Sequence, residues 1–125
     1  KNERQAIKIF KNNREELNIN IVQVKFNKAT DLGAIEVKGF KHFYELEYIV
    51  NDAYVVGYSE NGDLLDVRGP VTGFTVTATT KSGMSGGPVF NDNMKVIGIV
   101  SNRNVEESVG FMAPTYHITN LLDEF

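Results

Sequence analysis

The chain has 125 residues, of which 42% are hydrophobic, and 13 basic against 16 acidic residues give a formal net charge of -3. This length and apolar content fit one compact domain, or a large piece of one, with a buried core. The negative charge argues against a nucleic-acid partner, because such binding depends on cationic contacts to phosphates. The chain contains no cysteine, which excludes disulfides and thiolate metal sites, and no apolar run approaches the roughly 18 residues of a membrane span.

The first segment of the chain, residues 3–16, predicts either a polar helix or a hairpin, because Ile7, Ile9 and Phe10 fit both periods. Its polar start, with no apolar run behind it, also predicts that no signal peptide is present. From residue 19 onward, short β-branched runs alternate with clusters of Gly, Asn and Asp. These runs predict eight strands, at residues 19–26, 34–37, 54–58, 64–67, 74–79, 88–90, 96–101 and 110–113.

The connections between the strands add to this pattern. Asn61-Gly62 predicts a hairpin turn of the type that tolerates positive φ at both residues. Residues 119–125, with a capping residue ahead of Leu121, predict a short C-terminal helix. Short strands about ten residues apart, joined by turns, predict an all-β chain folded as an antiparallel barrel or sandwich.

One segment carries residues suited to chemistry: in residues 81–90, three glycines surround Ser85. A serine hydroxyl is a weak nucleophile that needs a nearby base and N–H donors aimed at the oxyanion that forms. Glycines beside a serine let the backbone bend tightly and turn its N–H groups toward one point. Ser85 is therefore a candidate nucleophile, with the N–H groups of Gly83 and Ser85 as candidate oxyanion donors. An isolated G-x-S-G pattern, however, is more often a structural turn.

The longer string G-M-S-G-G-P at residues 83–88, followed by V-I-G-I-V-S at residues 96–101, resembles the nucleophile segment of the chymotrypsin-like serine proteases, in the HtrA and glutamyl-endopeptidase style. Residues 109–114 (V-G-F-M-A-P) resemble the G-F-A-I-P strand of that family, and T-D-L-G-A-I-E-V at residues 30–37 resembles the stretch that carries the triad aspartate. The resemblance spans roughly residues 20–118.

This resemblance implies a chymotrypsin-like antiparallel β-barrel fold. Residues 1–40 would be the C-terminal part of a first barrel that carries the triad aspartate. Residues 41–118 would form a second barrel that carries the nucleophile, and residues 119–125 the C-terminal helix.

The resemblance also implies roles for individual residues. Asp31 would accept a hydrogen bond from the catalytic imidazole, although an Asp at this place also fits an ordinary turn or strand entry. A substrate strand would lie along residues 101–103, and no cofactor or metal is implied. The implied substrate-binding residues are Thr79, Thr80, Val100, Ser101, Asn102, Gly110 and Met112. Because Thr79 and Val100 carry no charge, they favour a small or medium apolar residue before the cleaved bond.

The sequence departs from the family at the general base. Residues 1–30 contain no histidine, and neither His42 nor His117 lies where the family has its catalytic histidine, so both are interpreted as surface or capping residues. We therefore expect a serine endopeptidase that needs a histidine-bearing N-terminal segment, whose strands pair with the edges of residues 1 to about 38. A cleavage product, a truncated chain and a catalytically inactive protease-like binding module all remain open. The expected partners are that segment and a peptide or protein substrate.

Two other glycine-rich sites fit the sequence less well. The nucleophile elbow of α/β-hydrolases needs a helix directly after the serine, whereas Pro88 opens a predicted strand. A phosphate-binding loop needs Lys followed by Ser or Thr after its glycines, whereas Gly87 is followed by Pro88 and Val89.

Overall fold

The computed structural model describes residues 7–47, 52–72, 75–76, 84–104 and 109–125. These ranges contain ten strands and one helix. They are β1 (Ile9–Phe10), β2 (Glu16–Leu17), β3 (Asn20–Asn27), β4 (Leu32–Lys38), β5 (Asp52–Tyr58), β6 (Leu64–Thr72), β7 (Thr75–Val76), β8 (Pro88–Phe90), β9 (Val96–Asn104), β10 (Val109–Pro114) and α1 (Thr115–Leu122). The predicted all-β antiparallel class is confirmed.

The chain divides into two compact units, of which the first comprises Lys1–Phe43 and Leu121–Phe125. In its described part, β1 and β2 form an antiparallel pair, so residues 9–17 form a hairpin rather than a helix, and residues 3–6 of the ambiguous segment lie outside the described residues. Strands β3 and β4 form a second, longer antiparallel hairpin. The assignment of residues 1–40 to a first barrel remains a prediction.

The second unit, Tyr44–Asn120, contains a closed antiparallel barrel. Its strand order is β10-β7-β6-β5-β8-β9, and pairing of β9 with β10 closes it. The predicted hairpin at Asn61-Gly62 joins β5 to β6, but only Gly62 of the two residues takes a positive φ (+86°). The loop is closed by hydrogen bonds from Gly62 N–H to Ser59 O and from Ser59 N–H to Asp63 O, both at 2.9 Å.

The barrel interior is filled by small and medium apolar side chains. Alternate residues of β5, Ala53 and Val55, are fully buried, as a strand with one inward face requires. Each buried side chain of Val or Met size contributes about 1.5–3 kcal/mol relative to an exposed one. The buried cluster consists of Ala53, Val55, Val76, Met84, Val89, Ile97, Val100 and Met112.

The C-terminal helix is confirmed, but its predicted range of 119–125 is wrong. Helix α1 begins at Thr115, directly after Pro114, and ends at Leu122. The buried Thr115 hydroxyl lies 2.8 Å from both the Glu47 and the Ile97 carbonyl oxygens, so tertiary contacts fix the start of the helix. Thr119 lies inside the helix, where its hydroxyl donates to the Tyr116 carbonyl at 3.0 Å. In the described residues, no helix has the length and apolar content to cross a membrane.

Candidate active site

Ser85 lies in a tight turn, formed by residues 84–87, that we call the serine turn. The Gly87 N–H donates to the Met84 carbonyl at 3.0 Å and closes the turn. Gly86, at the third position, has a φ of +91°, which is the glycine-requiring conformation of a type II turn. Ser85, at the second position, is exposed. A buried side chain here would have excluded the nucleophile role.

Two sets of contacts hold the serine turn in place. Met84, only 1% exposed, packs inside the barrel core. On the other side, the Gly86 N–H donates to the Val100 carbonyl at 2.8 Å, and the Val100 N–H donates to the Gly87 carbonyl at 2.9 Å. The turn is therefore fixed both to the core and to β9. The sequence motif assigns no role to Met84, although an apolar residue within a glycine-rich polar stretch is a possible signal of burial.

Gly87 is required by a close approach of backbones. A Cβ at this position would lie 2.4 Å from the Val56 carbonyl oxygen and 3.1 Å from the Met84 carbonyl oxygen. Only glycine lets the turn pack this closely against β5. Gly86 and Gly87 thus determine the shape of the serine turn.

Strand β9 carries an irregularity immediately after Val100. Met112 of β10 is opposite Val100, whereas Phe111 is opposite Asn102, so Ser101 is an extra residue in β9. Such bulges bend a strand and redirect its side chains, and they occur often beside active sites. Ser101 is a site residue predicted from the sequence, but its local sequence pattern does not indicate the bulge.

The predicted substrate-binding residues fall into three groups. The side chains of Val100 and Met112 are buried and belong to the barrel core. Ser101, Asn102 and Gly110 lie on β9 and β10. Thr79, Thr80 and the second oxyanion donor, Gly83, lie outside the described residues. The oxyanion and pocket roles therefore remain predictions.

Asp31 ends the turn between β3 and β4 and is exposed. The Asn27 side-chain oxygen accepts from the N–H groups of Ala29 and Thr30, at 2.9 and 3.1 Å, and shapes this turn. Asp31 itself has a φ of +56°, a left-handed conformation that Asp tolerates better than most residues. This placement suits a turn residue, and it leaves the carboxylate exposed and able to accept a hydrogen bond.

Neither histidine lies in the serine turn. His42 is exposed in the irregular segment that follows β4. His117 lies in α1, where its ring packs edge-on against the Tyr116 ring with centroids 4.4 Å apart. Among the residues that the structure describes, no group of three or more His, Asp or Glu side chains could hold a metal ion.

A closed six-stranded antiparallel barrel with a short C-terminal helix defines the chymotrypsin-like class of fold, and solved proteases share it. The active form of the Rv3671c protease from M. tuberculosis matches with a TM-score of 0.71 and 18% identity, over 88% of this chain and 59% of that one. The serine endoprotease from Yersinia pestis matches with a TM-score of 0.77 and 18% identity, over 94% of this chain and 47% of that one. The chain thus spans about half the length of these two proteases. The model of the trypsin-like peptidase domain family matches residues 3–99, and the chain belongs to this family.

Proposed function

We propose that the chain carries the nucleophile of a serine endopeptidase, which hydrolyses peptide bonds through an acyl-enzyme on Ser85. The observation that supports this most directly is the serine turn, in which an exposed hydroxyl stands on a backbone held by the core and by β9. A catalytic nucleophile needs this combination of accessibility and fixed position. Membership of the trypsin-like peptidase family supports the same reaction class.

The mechanism follows from the chemistry of the hydroxyl. A histidine takes the proton from the Ser85 hydroxyl as its oxygen attacks the carbonyl carbon of the substrate. The N–H groups of Gly83 and Ser85 donate to the resulting oxyanion. The amine leaves with the proton from the histidine, and a water molecule activated by the same histidine then hydrolyses the acyl-enzyme. Asp31 accepts a hydrogen bond from the imidazole and fixes its tautomer.

The general base comes from a histidine-bearing N-terminal segment. His42 and His117 both lie at positions that the family motif does not use, so neither is assigned this role. The substrate adds as a strand along residues 101–103, next to the bulge at Ser101. Thr79, Thr80 and Val100 are proposed to line a pocket for a small or medium apolar side chain.

A serine-directed phosphonate probe tests the proposal. The chain is co-expressed with the polypeptide encoded directly before Lys1, and the labelled residue is identified by peptide mass spectrometry. We expect labelling at Ser85, its loss in Ser85→Ala, and no loss in Ser59→Ala, the matched control at another loop serine of the same barrel. Labelling that survives in Ser85→Ala contradicts the assignment. Asp31→Asn should slow labelling by roughly 10,000-fold, as the wrong tautomer does in the serine–histidine–aspartate template.

The second candidate is a protease-like binding module without catalysis. The observation that favours it is the position of the two histidines, one in an exposed irregular segment and one packed against Tyr116. This candidate predicts that Ser85 stays unlabelled even when the upstream polypeptide is present, while the barrel still binds extended peptides. The same phosphonate experiment therefore separates the two functions.

A further inference from the structure

The segment that follows β4 exposes aromatic side chains. Residues 38–43 read K-G-F-K-H-F, and every one of them is exposed. Phe43 is 75% exposed, the largest exposed fraction of any large apolar side chain in the described part of the chain, and Phe40 is 54% exposed. Gly39, with a φ of +101°, turns the backbone where β4 ends. We call residues 38–43 the aromatic loop.

The next aromatic residue, Tyr44, is not part of the aromatic loop. Its ring packs edge-on against the Phe90 ring of β8, with centroids 4.8 Å apart, so it has an apolar partner in the barrel. Phe40 and Phe43, by contrast, keep more than half of their side-chain surface in water. Because removal of a phenylalanine side chain from water is strongly favourable, these two rings provide a driving force for association with an apolar partner.

Basic residues are concentrated in the same part of the chain. Residues 1–43 contain 9 basic and 5 acidic residues, a formal net charge of +4, whereas residues 44–125 contain 4 basic and 11 acidic residues, a formal net charge of -7. Such charge asymmetry within one chain indicates contact with an anionic surface or polymer. In the aromatic loop itself, Lys38 and Lys41 flank Phe40, and none of the six residues is acidic.

Aromatic rings next to lysines match the chemistry of an anionic lipid surface. Aromatic side chains bind at the boundary between the headgroups and the acyl chains. Lysines near the bilayer are attracted to anionic headgroups, and their long alkyl stems let the ammonium groups stay at the headgroups while neighbouring rings lie deeper. A nucleic acid would gain affinity mainly from the number of phosphates that cations neutralise. The aromatic loop has only two lysines but a large apolar area, so it suits a lipid surface better.

We propose that the aromatic loop docks the chain on anionic lipid surfaces. The rings of Phe40 and Phe43 lie in the boundary between headgroups and acyl chains, and Lys38 and Lys41 lie beside the headgroup phosphates. Residues 44–125, with their net charge of -7, are repelled by the same headgroups, so the binding is reversible and the basic part of the chain faces the lipid. This docking goes beyond the proposed function and does not depend on the chemistry of Ser85.

Vesicle sedimentation tests the proposal with the full chain. The probes are vesicles of phosphatidylcholine alone and of phosphatidylcholine mixed with phosphatidylserine. For the mixed vesicles, Phe43→Ser should lower the partition constant by about tenfold or more, the effect of one buried phenylalanine. Lys41→Gln should lower it by about fivefold, the effect of one lysine near an anionic surface, and should change nothing on phosphatidylcholine alone. Leu64→Ser is the matched control, because Leu64 is 48% exposed but lies between Asp63 and Asp66 in the sequence; its partition constant should stay unchanged.

A tryptophan reporter tests which residue enters the lipid. The chain contains no tryptophan, so a single introduced tryptophan reports on one position. Phe43→Trp keeps an aromatic ring that favours the interface. Its emission should shift to shorter wavelength on mixed vesicles and should be quenched by brominated acyl chains, whereas Leu64→Trp should show neither change. Equal responses of the two variants, or no response of Phe43→Trp, overturn the proposal.

Three further outcomes separate the proposal from its alternatives. Failure of the chain to sediment with mixed vesicles overturns the docking, and binding to a short single-stranded RNA instead assigns the loop to a nucleic acid. Equal losses in Lys41→Gln and in Lys95→Gln, which removes the same charge from the barrel, show that net charge rather than the aromatic loop controls binding. Ser85→Ala should bind vesicles as the unsubstituted chain does, so failure of the docking and failure of the proposed function are distinguishable.

Discussion

Gly87→Ala is expected to destabilise the barrel strongly, although it adds a single methyl group. The new Cβ would lie 2.4 Å from the Val56 carbonyl oxygen, and real contacts of this kind essentially never fall below 3.0 Å. The neighbouring atoms are backbone, so no side-chain rotation relieves the clash. Either the serine turn or β5 has to move, and β5 is paired with both β6 and β8.

The magnitude follows from the contacts that such a movement disturbs. Overpacking in a well-packed interior costs about 1–3 kcal/mol. Gly87 also makes two backbone hydrogen bonds, to the Met84 carbonyl and from the Val100 N–H, each worth about 1 kcal/mol. Together they give a loss of about 3–5 kcal/mol, a large share of the roughly 5–15 kcal/mol that stabilises a typical domain.

Urea unfolding followed by tyrosine fluorescence measures this loss, with Gly86→Ala as the matched control. Apart from its chain neighbours, no atom lies within 4 Å of the place that a methyl group on Gly86 would occupy, so this substitution costs only the left-handed strain of about 1–2 kcal/mol. At a slope of about 2 kcal/mol per M urea, the Gly87→Ala midpoint should lie about 1 M below that of Gly86→Ala. Equal midpoints with unchanged slopes would refute the close-approach argument.

Three further substitutions test contacts elsewhere in the barrel. Thr115→Val removes the buried hydroxyl that lies 2.8 Å from two carbonyl oxygens. Thermal unfolding should show that the free energy of unfolding falls by about 1–3 kcal/mol, and by less in Thr115→Ser, which keeps the hydroxyl. Equal losses in the two variants argue against a role for the hydroxyl. Asn91→Ala removes a side-chain oxygen that accepts from two N–H groups of the β8–β9 turn, at 2.9 and 3.0 Å. Urea unfolding should show that the free energy of unfolding falls by about 1–2 kcal/mol. An unchanged free energy of unfolding shows that water replaces the side chain. Arg68→Met removes the exposed ion pairs of Arg68 with Asp92 and Asp52, at 3.2 and 3.6 Å. The free energy of unfolding should fall by at most about 1 kcal/mol, and by less at high salt. A larger loss that does not depend on salt contradicts this interpretation.

The positions of most strands could be predicted because turn residues separate runs of β-branched ones. Strand β8 has its predicted bounds, residues 88–90. Strand β6 was predicted at 64–67 but extends to Thr72, through Gly69 and Pro70. Those two residues favour a turn locally, yet Ala53 and Asp52 of β5 lie opposite them. Pairing within the closed barrel therefore outweighs local preference.

The serine turn could be predicted in part. The spacing of glycines around Ser85 indicates a tight bend, and the positive φ of Gly86 is the glycine conformation that such a bend requires. The hydrogen bonds from the turn to Val100 could not be predicted, because they join residues about fourteen positions apart in the sequence and depend on how β8 and β9 pair. The bulge at Ser101 likewise results from the register between two strands rather than from any local pattern.

The two hydrogen bonds between the serine turn and Val100 have a consequence for the dynamics of the barrel. Gly86 donates to Val100 and Val100 donates back to Gly87, so separation of the serine turn from β9 breaks both hydrogen bonds. The amide protons of Gly86 and Val100 should therefore exchange with solvent through one shared opening, at similar rates. Local opening of the middle of β9 therefore also releases the serine turn, so the two segments open and close as one cooperative unit.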